Sequence, residues 1–305
     1  MSFISNDYIN SIERGYGDSD KKLCHECIGN KSLKEYIKAN GYVCTCDYCG
    51  QRRKAVNLDS FMVIIMSGVN FLYTHAVNEL PCDSGEYIGK TYTTAQLIFE
   101  ELRDEIDAQD ERILKDIVEI MYDDIWCDAD PFSDREEDVA YYDWQSFCKM
   151  VKEKVRYVFY RATPDTSFNE NPTTILDTLA YYAERVRLDR RIDKNTKMYR
   201  CRTHENDEWR TAYADFAPPP PWVATSGRMN AAGINVLYLT LDPNTALCET
   251  RTSGRDYATI ASFRVTESIR VLDLTKIKKM SIPSIFDEDN RHNRSPVMFL
   301  SLIHI

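Results

Sequence analysis

Residues 226–249 read SGRMNAAGINVLYLTLDPNTALCE, and their pattern decides the fold of the C-terminal third. NVLYLTL at 235–241 strings β-branched and aromatic residues together over a length that suits a strand. Asp242 then offers a natural N-cap, and Pro243 takes the first helical position, where its missing N–H costs nothing. A short helix is therefore expected over 243–252. A strand leading at once into a capped helix points to an α+β chain. Two charges frame the pair, Arg228 before the strand and Glu249 within the helix, with Tyr238 between them. Such charges are costly if buried without partners, so they mark either chemistry or solvated ends.

Outward from this stretch the same short-strand texture continues. KMYRCRT (197–203), YATIASFRV (257–265) and SIRVLDL (268–274) read as strands, and PPPP at 218–221 as a stiff loop. Arg200 and Arg202 share the first of these strands, so Arg200, Arg202, Arg228, Tyr238 and Glu249 form one candidate constellation. Guanidinium groups hold diphosphates bidentately, a tyrosine ring stacks on a heterocycle, and a carboxylate stabilises positive charge developing on a sugar carbon. A nicotinamide dinucleotide meets all three demands. Read on the residues alone, the rival is a set of surface ion pairs contributing about 0–1 kcal/mol.

Toward the N-terminus the period changes to helical. DSFMVIIMSGVNFLYTHAVNEL from Asp59, the run at 93–124 with Thr93 or Thr94 as cap, and segments 144–161 and 174–189 all carry apolar residues at helical spacing. Residues 59–190 thus read as an all-helical middle domain joined by loops at 81–92, 125–143 and 162–173. His75 reads as a core or surface histidine, since no Arg stands four to six residues before it. FMVIIMSGVNFLY at 61–73 is too short to span a bilayer and reads as a buried helix.

Ahead of the helices stand CHEC at 24–27 and CTCDYC at 44–49. Cys24 and Cys27 form one CxxC pair and Cys46 and Cys49 the other, with 18 residues between the pairs, a two-knuckle spacing for tetrahedral zinc. Cys44 and His25 are spare ligands, and Gly50 can take the positive φ such a knuckle wants. The expected segment, 20–58, has little core of its own, whereas structural zinc contributes roughly 10–16 kcal/mol in small peptides, so the ion would decide whether it folds. A closed four-cysteine site leaves no open coordination position and is given no catalytic role. Arg52, Arg53 and Lys54 beside it read either as a phosphate-backbone contact or as a plain soluble surface.

Composition bounds the rest. The chain has 305 residues, 43% of them hydrophobic and 11% aromatic, which excludes wholesale disorder. Ten cysteines without an export signal argue for metal and buried thiols, and for a cytoplasmic protein. The formal charge of −10 is uneven: residues 100–143 hold 18 acidic against 4 basic residues, while 144–305 hold 24 basic against 19 acidic. The acidic block would repel nucleic acid, or is simply a solvated helix face, so nucleic acid ranks last among partners and a phosphate-rich ligand is placed at the C-terminal half.

MYRCR at 198–202 and SGRMNAAGINVLYLTLDPNTALCE at 226–249 resemble the RES domain of bacterial NAD-degrading toxins. The family pattern runs Tyr-Arg, then Gly-Arg-(aromatic)-Asn with a following Gly, then Leu-Tyr-Leu, then Thr-Ala-Leu-x-Glu. Position by position Arg200, Arg228, Tyr238 and Glu249 match it, while Met229 replaces the usual aromatic. The cysteine-rich and helical regions resemble the HEPN/RES N-terminal domain. The resemblance implies an α+β chain: zinc knuckle at 20–58, helical HEPN/RES N-terminal domain at 59–190, and an ADP-ribosyltransferase-like RES domain at 191–299. It implies NAD as substrate, phosphate, water or a protein side chain as acceptor, and an antitoxin protein as a candidate partner. Arg200 and Arg228 would hold the diphosphate with Arg202 helping, and Tyr238 and Glu249 would be catalytic. The family serine lies later than Ser281, Ser284, Ser295 and Ser301, and the terminal LSLIHI reads as one frame of a sequencing adapter. Residues 300–305 are therefore expected to be a non-native tail and the RES part to be incomplete. The competing expectation is a zinc-stabilised module that binds a nucleotide or partner without turnover.

Overall fold

The computed structural model describes residues 14–153, 172–205, 207, 210–227, 230–250 and 257–304. The chain is a mixed α+β protein with several small sheets, divided into two compact units, Met1–Val186 with Leu274–Ile305, and Arg187–Asp273.

The first unit opens with strand β1 (Lys22–Cys24), helix α1 (Lys31–Asn40) and strands β2 (Tyr42–Thr45) and β3 (Arg52–Asn57). The strands form an antiparallel sheet in the order β1-β3-β2. Asn30 caps α1 by accepting from the Leu33 N–H, and the helix buries Leu33 and Ile37. Helix α2 (Leu58–Leu72) follows as the buried helix the sequence leads one to expect, with Phe61, Met62, Ile65 and Val69 in the core.

The middle region is not all-helical. After α2 the chain straightens into β4 (Tyr73–His75), which joins β5 (Tyr92–Thr93) and β6 (Ile125–Asp128) in an antiparallel sheet of order β4-β6-β5. The aromatic and β-branched run Ile125-Trp126-Cys127 buries Trp126 and Cys127, which is why part of the expected loop 125–143 is a strand. His75 is half-buried on β4, its Nδ1 2.7 Å from an Asp124 carboxylate oxygen and its ring tilted at 30° to that of Trp126 with centroids 4.3 Å apart.

The helix expected across 93–124 is also broken. Thr93 and Gln96 make a capping box, a wider turn covers Leu97–Glu101, and Asp107 takes a left-handed φ of 52° before Asp110 caps helix α3 (Glu111–Ile120). The break is held from outside: the Gly29 N–H donates to the Asp107 carbonyl at 2.6 Å, and the Gln109 N–H to the Cys27 carbonyl at 2.9 Å. The knuckle thus claims backbone groups that a continuous helix would keep to itself. Helix α4 (Glu136–Glu153) starts before the expected 144 because Glu136, Glu137 and Asp138 suit a helix N-terminus; its expected end at 161 lies outside the described residues. Helix α5 (Pro172–Arg185) follows.

Residues 274–304 return to this first unit. Ile285 and Phe286 join its core, where a Cβ on Gly68 would lie 2.4 Å from the Phe286 ring, so only glycine admits that contact. Glu105 accepts from the Ile285 N–H and pairs with Arg294, while the helix Arg294–His304 buries Val297, Phe299 and Leu300 and sets Phe299 edge-on to Tyr182. Among the described residues no helix is long and apolar enough to cross a membrane.

The second unit contains β7 (Asp189–Ile192), β8 (Lys197–His204), α6 (Tyr213–Phe216), α7 (Pro243–Glu249), β9 (Tyr257–Arg264) and β10 (Ile269–Leu272). Strands β8 and β9 pair antiparallel from Lys197↔Arg264 to His204↔Tyr257, and β10 pairs with β7. Asp242 caps α7 by accepting from the Thr245 N–H, with Pro243 at the first turn, as its sequence implies. The expected strand at 235–241 is reduced to one bridge, Tyr199↔Thr240, closed by hydrogen bonds of 2.8 and 2.9 Å. Upstream of it the Ile234 carbonyl is taken by the Asn230 side chain rather than by a ladder.

Candidate functional site

Four thiols converge in the first unit. Cys24 ends β1 and Cys27 lies in the turn after it, while Cys46 and Cys49 sit in the turn that joins β2 to β3. Their Sγ atoms all lie within 4.8 Å of one another. Cys24 is 3.6 Å from both Cys27 and Cys49, and Cys27 is 3.8 Å from Cys46. Thiolates bound about 2.3 Å from a tetrahedral zinc are about 3.8 Å apart, so the group fits the ion without rearrangement. The second knuckle is closed by the Gly50 N–H donating to the Cys46 carbonyl at 2.9 Å, with Gly50 at φ +68°. The spare candidates fall outside the group: Cys44 sits on β2, and His25 faces Glu26 at 3.0 Å. Burial pushes the Cys24 and Cys27 thiols up, whereas the Gln51 backbone N–H holds the exposed Cys49 thiol down at about 7.

The second unit holds the other candidates. On β8 successive side chains alternate, so Arg200 and Arg202 share one face with His204, and Cys201 points to the other. Arg200 is half-buried and donates from Nη1 to the Phe216 and Ala217 carbonyls at 2.9 and 3.2 Å, at the end of α6. Burial and the adjacent Arg202 guanidinium hold the Arg200 pKa below its ordinary value. Among the described residues neither arginine meets a carboxylate. Across the ribbon they face Ala261 and Thr259, short side chains, and His204 bonds the Thr259 hydroxyl at 2.9 Å.

Helix α7 packs against β8 on the Cys201 face, with the Thr250 hydroxyl 3.8 Å from the Cys201 sulfur. Glu249 precedes Thr250 and is exposed. Tyr238 is 43% exposed, yet its hydroxyl is fixed, donating to the Asn230 Oδ1 at 2.7 Å. Asn230 in turn donates from Nδ2 to the carbonyls of Thr225, Ala231 and Ile234 at 3.0–3.1 Å. Gly227 lets this cluster close, since a Cβ there would stand 2.6 Å from the Asn230 oxygen and 2.7 Å from the Tyr238 hydroxyl. Arg228 lies outside the described residues, as does Met229.

The structure therefore places Arg200 and Arg202 on one face of β8, ties Tyr238 to Asn230, and sets Glu249 on a helix that packs against the opposite, Cys201 face. It also identifies two residues that reasoning on the residues passed over. His204 was signalled by its period-2 spacing after Arg200 and Arg202, and Asn230 by its place in the GRMN run. Asn230→Ala is expected to speed amide exchange at Gly227 and Gly233, whose N–H groups bond within this loop, by about tenfold or more, the scale of one lost anchor. Unchanged exchange at both amides would remove Asn230 as the organiser.

Comparison with known proteins places these features. HEPN/RES N-terminal domain 1 matches residues 39–165, taking in Cys46 and Cys49 but starting after Cys24 and Cys27. The RES domain matches residues 197–296, which contain Arg200, Arg202, Arg228, Tyr238 and Glu249. No curated protein and no solved structure matches the chain. The chain thus carries a HEPN/RES N-terminal domain 1 followed by a RES domain.

Proposed function

We propose that this protein is a RES-type NAD-cleaving enzyme that breaks the nicotinamide-ribose bond and acts as a toxin or defence effector, with an ADP-ribosyltransferase-like arrangement of its RES part. The observation that carries the reading is the guanidinium pair on β8. Arg200 is half-buried, its neighbour Arg202 has no hydrogen-bond or ion-pair partner among the described residues, and two like charges side by side favour a bound anion. Arg200 and Arg228 hold the diphosphate, with Arg202 as helper. Tyr238, its hydroxyl fixed by Asn230 and its ring exposed, orients the nicotinamide.

In the reaction the C1′–N bond breaks and its electron pair leaves with the nicotinamide nitrogen. Positive charge develops on the ribose carbon and ring oxygen, where the Glu249 carboxylate stabilises it. An oxygen of phosphate, of water or of a protein side chain then bonds to C1′, and any proton that oxygen carried is released to solvent. The four-cysteine site would hold zinc as a structural ion and takes no part in this step.

The test is nicotinamide release from NAD by the purified protein, with and without phosphate. Release that depends on phosphate identifies a phosphorylase, release without it a glycohydrolase, and label transferred to protein an ADP-ribosyltransferase. Protection against heating by NAD with no nicotinamide formed would replace the enzyme reading with that of a nucleotide-binding module.

A further inference from the structure

We propose, resting on the NAD reading of the same site, that Tyr257 backed by His204 is the platform on which the adenine base stacks, so that one face of the β8–β9 ribbon holds the ADP half of the dinucleotide. The register fixes the face: Arg200 lies opposite Ala261, Arg202 opposite Thr259, and His204 opposite Tyr257. Directly opposed residues of an antiparallel pair point to the same side, as do alternate residues along each strand. Arg200, Arg202, His204, Tyr257, Thr259 and Ala261 therefore share one face, the one turned away from Cys201 and helix α7.

The relief of that face suits a nucleoside diphosphate. Two guanidinium groups follow one another along β8, and the short side chains of Ala261 and Thr259 opposite them leave a low floor. At one end Arg200 is anchored by the Phe216 and Ala217 carbonyls, which sets its guanidinium in place before an anion arrives. At the other end the His204 and Tyr257 rings stack at 18° with centroids 6.0 Å apart, and the His204 Nε2 is 2.9 Å from the Thr259 hydroxyl. His204 is buried whereas Tyr257 is 50% exposed, so the imidazole holds the phenol ring and leaves much of it open. Tyr257 is the diagonal neighbour of Arg202, at about 7–8 Å, a separation that aromatic and long side chains bridge. A diphosphate on the arginines thus carries its base, one ribose away, to the ring, and an aromatic ring beside phosphate-binding cations is a platform for stacking a base. Charge decides which base. The nicotinamide ring of NAD is cationic and would meet Arg202 on a ribbon face that carries no Asp or Glu, whereas adenine is neutral. Glu249, assigned to the reacting end, belongs to the helix on the opposite face of β8, which puts the scissile bond away from Tyr257.

The test is calorimetric binding of ADP, inorganic pyrophosphate and nicotinamide mononucleotide to the full chain. Tyr257→Ala should weaken ADP at least about tenfold and leave pyrophosphate and nicotinamide mononucleotide within about twofold, while Tyr257→Phe, which keeps the ring, stays within about threefold for all three. Arg202→Ala should weaken ADP and pyrophosphate alike. In NAD cleavage Tyr257→Ala should raise KM about tenfold at unchanged kcat, since a stacked base is held equally in the ground and transition states. If the alanine variant melts early, Tyr257→Leu, apolar but without a ring, takes its place. No binding of ADP at about 1 mM, ADP bound by Tyr257→Ala as by wild type, or pyrophosphate or nicotinamide mononucleotide lost as fully as ADP would each overturn the proposal. The platform and the enzyme fail separately. ADP held through Tyr257 with no nicotinamide released from NAD keeps the platform and withdraws the enzyme; nicotinamide released while ADP is indifferent to Tyr257 does the reverse.

Discussion

Glu249→Gln is expected to lower nicotinamide release by about 10²–10³-fold while leaving nucleotide affinity within about threefold of wild type. The carboxylate is assigned to charge that appears only as the C1′–N bond breaks, so its removal raises the barrier without weakening ground-state binding. Helix α7 is started by Asp242 and Pro243, which the change does not touch. Glu249 stands at the opposite end, where a negative charge opposes the helix dipole at a cost of about 0.3–1 kcal/mol. Glutamine keeps the length and shape of the side chain, so the fold should be retained while turnover collapses. Loss of turnover with unaltered stability is the signature of a residue kept for chemistry. Rates measured on Glu249→Gln equal to wild type would withdraw the glutamate from the mechanism.

Features set by neighbours a few residues apart were legible in the sequence. The cysteine knuckle follows from two CxxC turns, Gly50 from the φ its turn needs, and the start of α7 from Asp242 and Pro243. Strands β8 and β9 were visible because their residues alternate and favour the pleat. Features set by distant partners were not legible. The break at Asp107 exists because Gly29 and Cys27 take its backbone groups, and nothing in 93–124 carries that information. Phe286 finds Gly68 across most of the chain, so the return of 274–304 to the first unit leaves no periodic trace. The β4-β6-β5 sheet is built from strands of two to four residues, below the length at which alternation can be told from a loop. At the site, residue identity suggested the arginines, but the carbonyls that hold Arg200 belong to a helix end that only folding brings near.

Removing zinc is expected to have the largest effect on stability. Leu23, Cys24, Cys27, Ile28, Leu33, Ile37 and Cys46 are buried members of the core that also contains Phe61 and Ile65 of α2. Their burial depends on the two turns staying closed, and four thiols within 4.8 Å of one another hold the turns together only through an ion or as protonated neighbours. Structural zinc contributes roughly 10–16 kcal/mol in small peptides, against a typical domain stability of about 5–15 kcal/mol. Chelation, or Cys46→Ser, should therefore abolish amide-exchange protection in β1, α1 and β3 and lower the melting temperature of the first unit by more than about 10 °C. The break at Asp107 should loosen with them, because the Gly29 and Gln109 hydrogen bonds tie it to the knuckle. Acidification acts in the same direction, since the ligands bind as thiolates and burial already raises the Cys24 and Cys27 pKa values. Metal analysis of the purified protein together with exchange before and after chelation checks the account. One equivalent of zinc whose removal leaves β1 and α1 fully protected would show that apolar packing alone closes the knuckle.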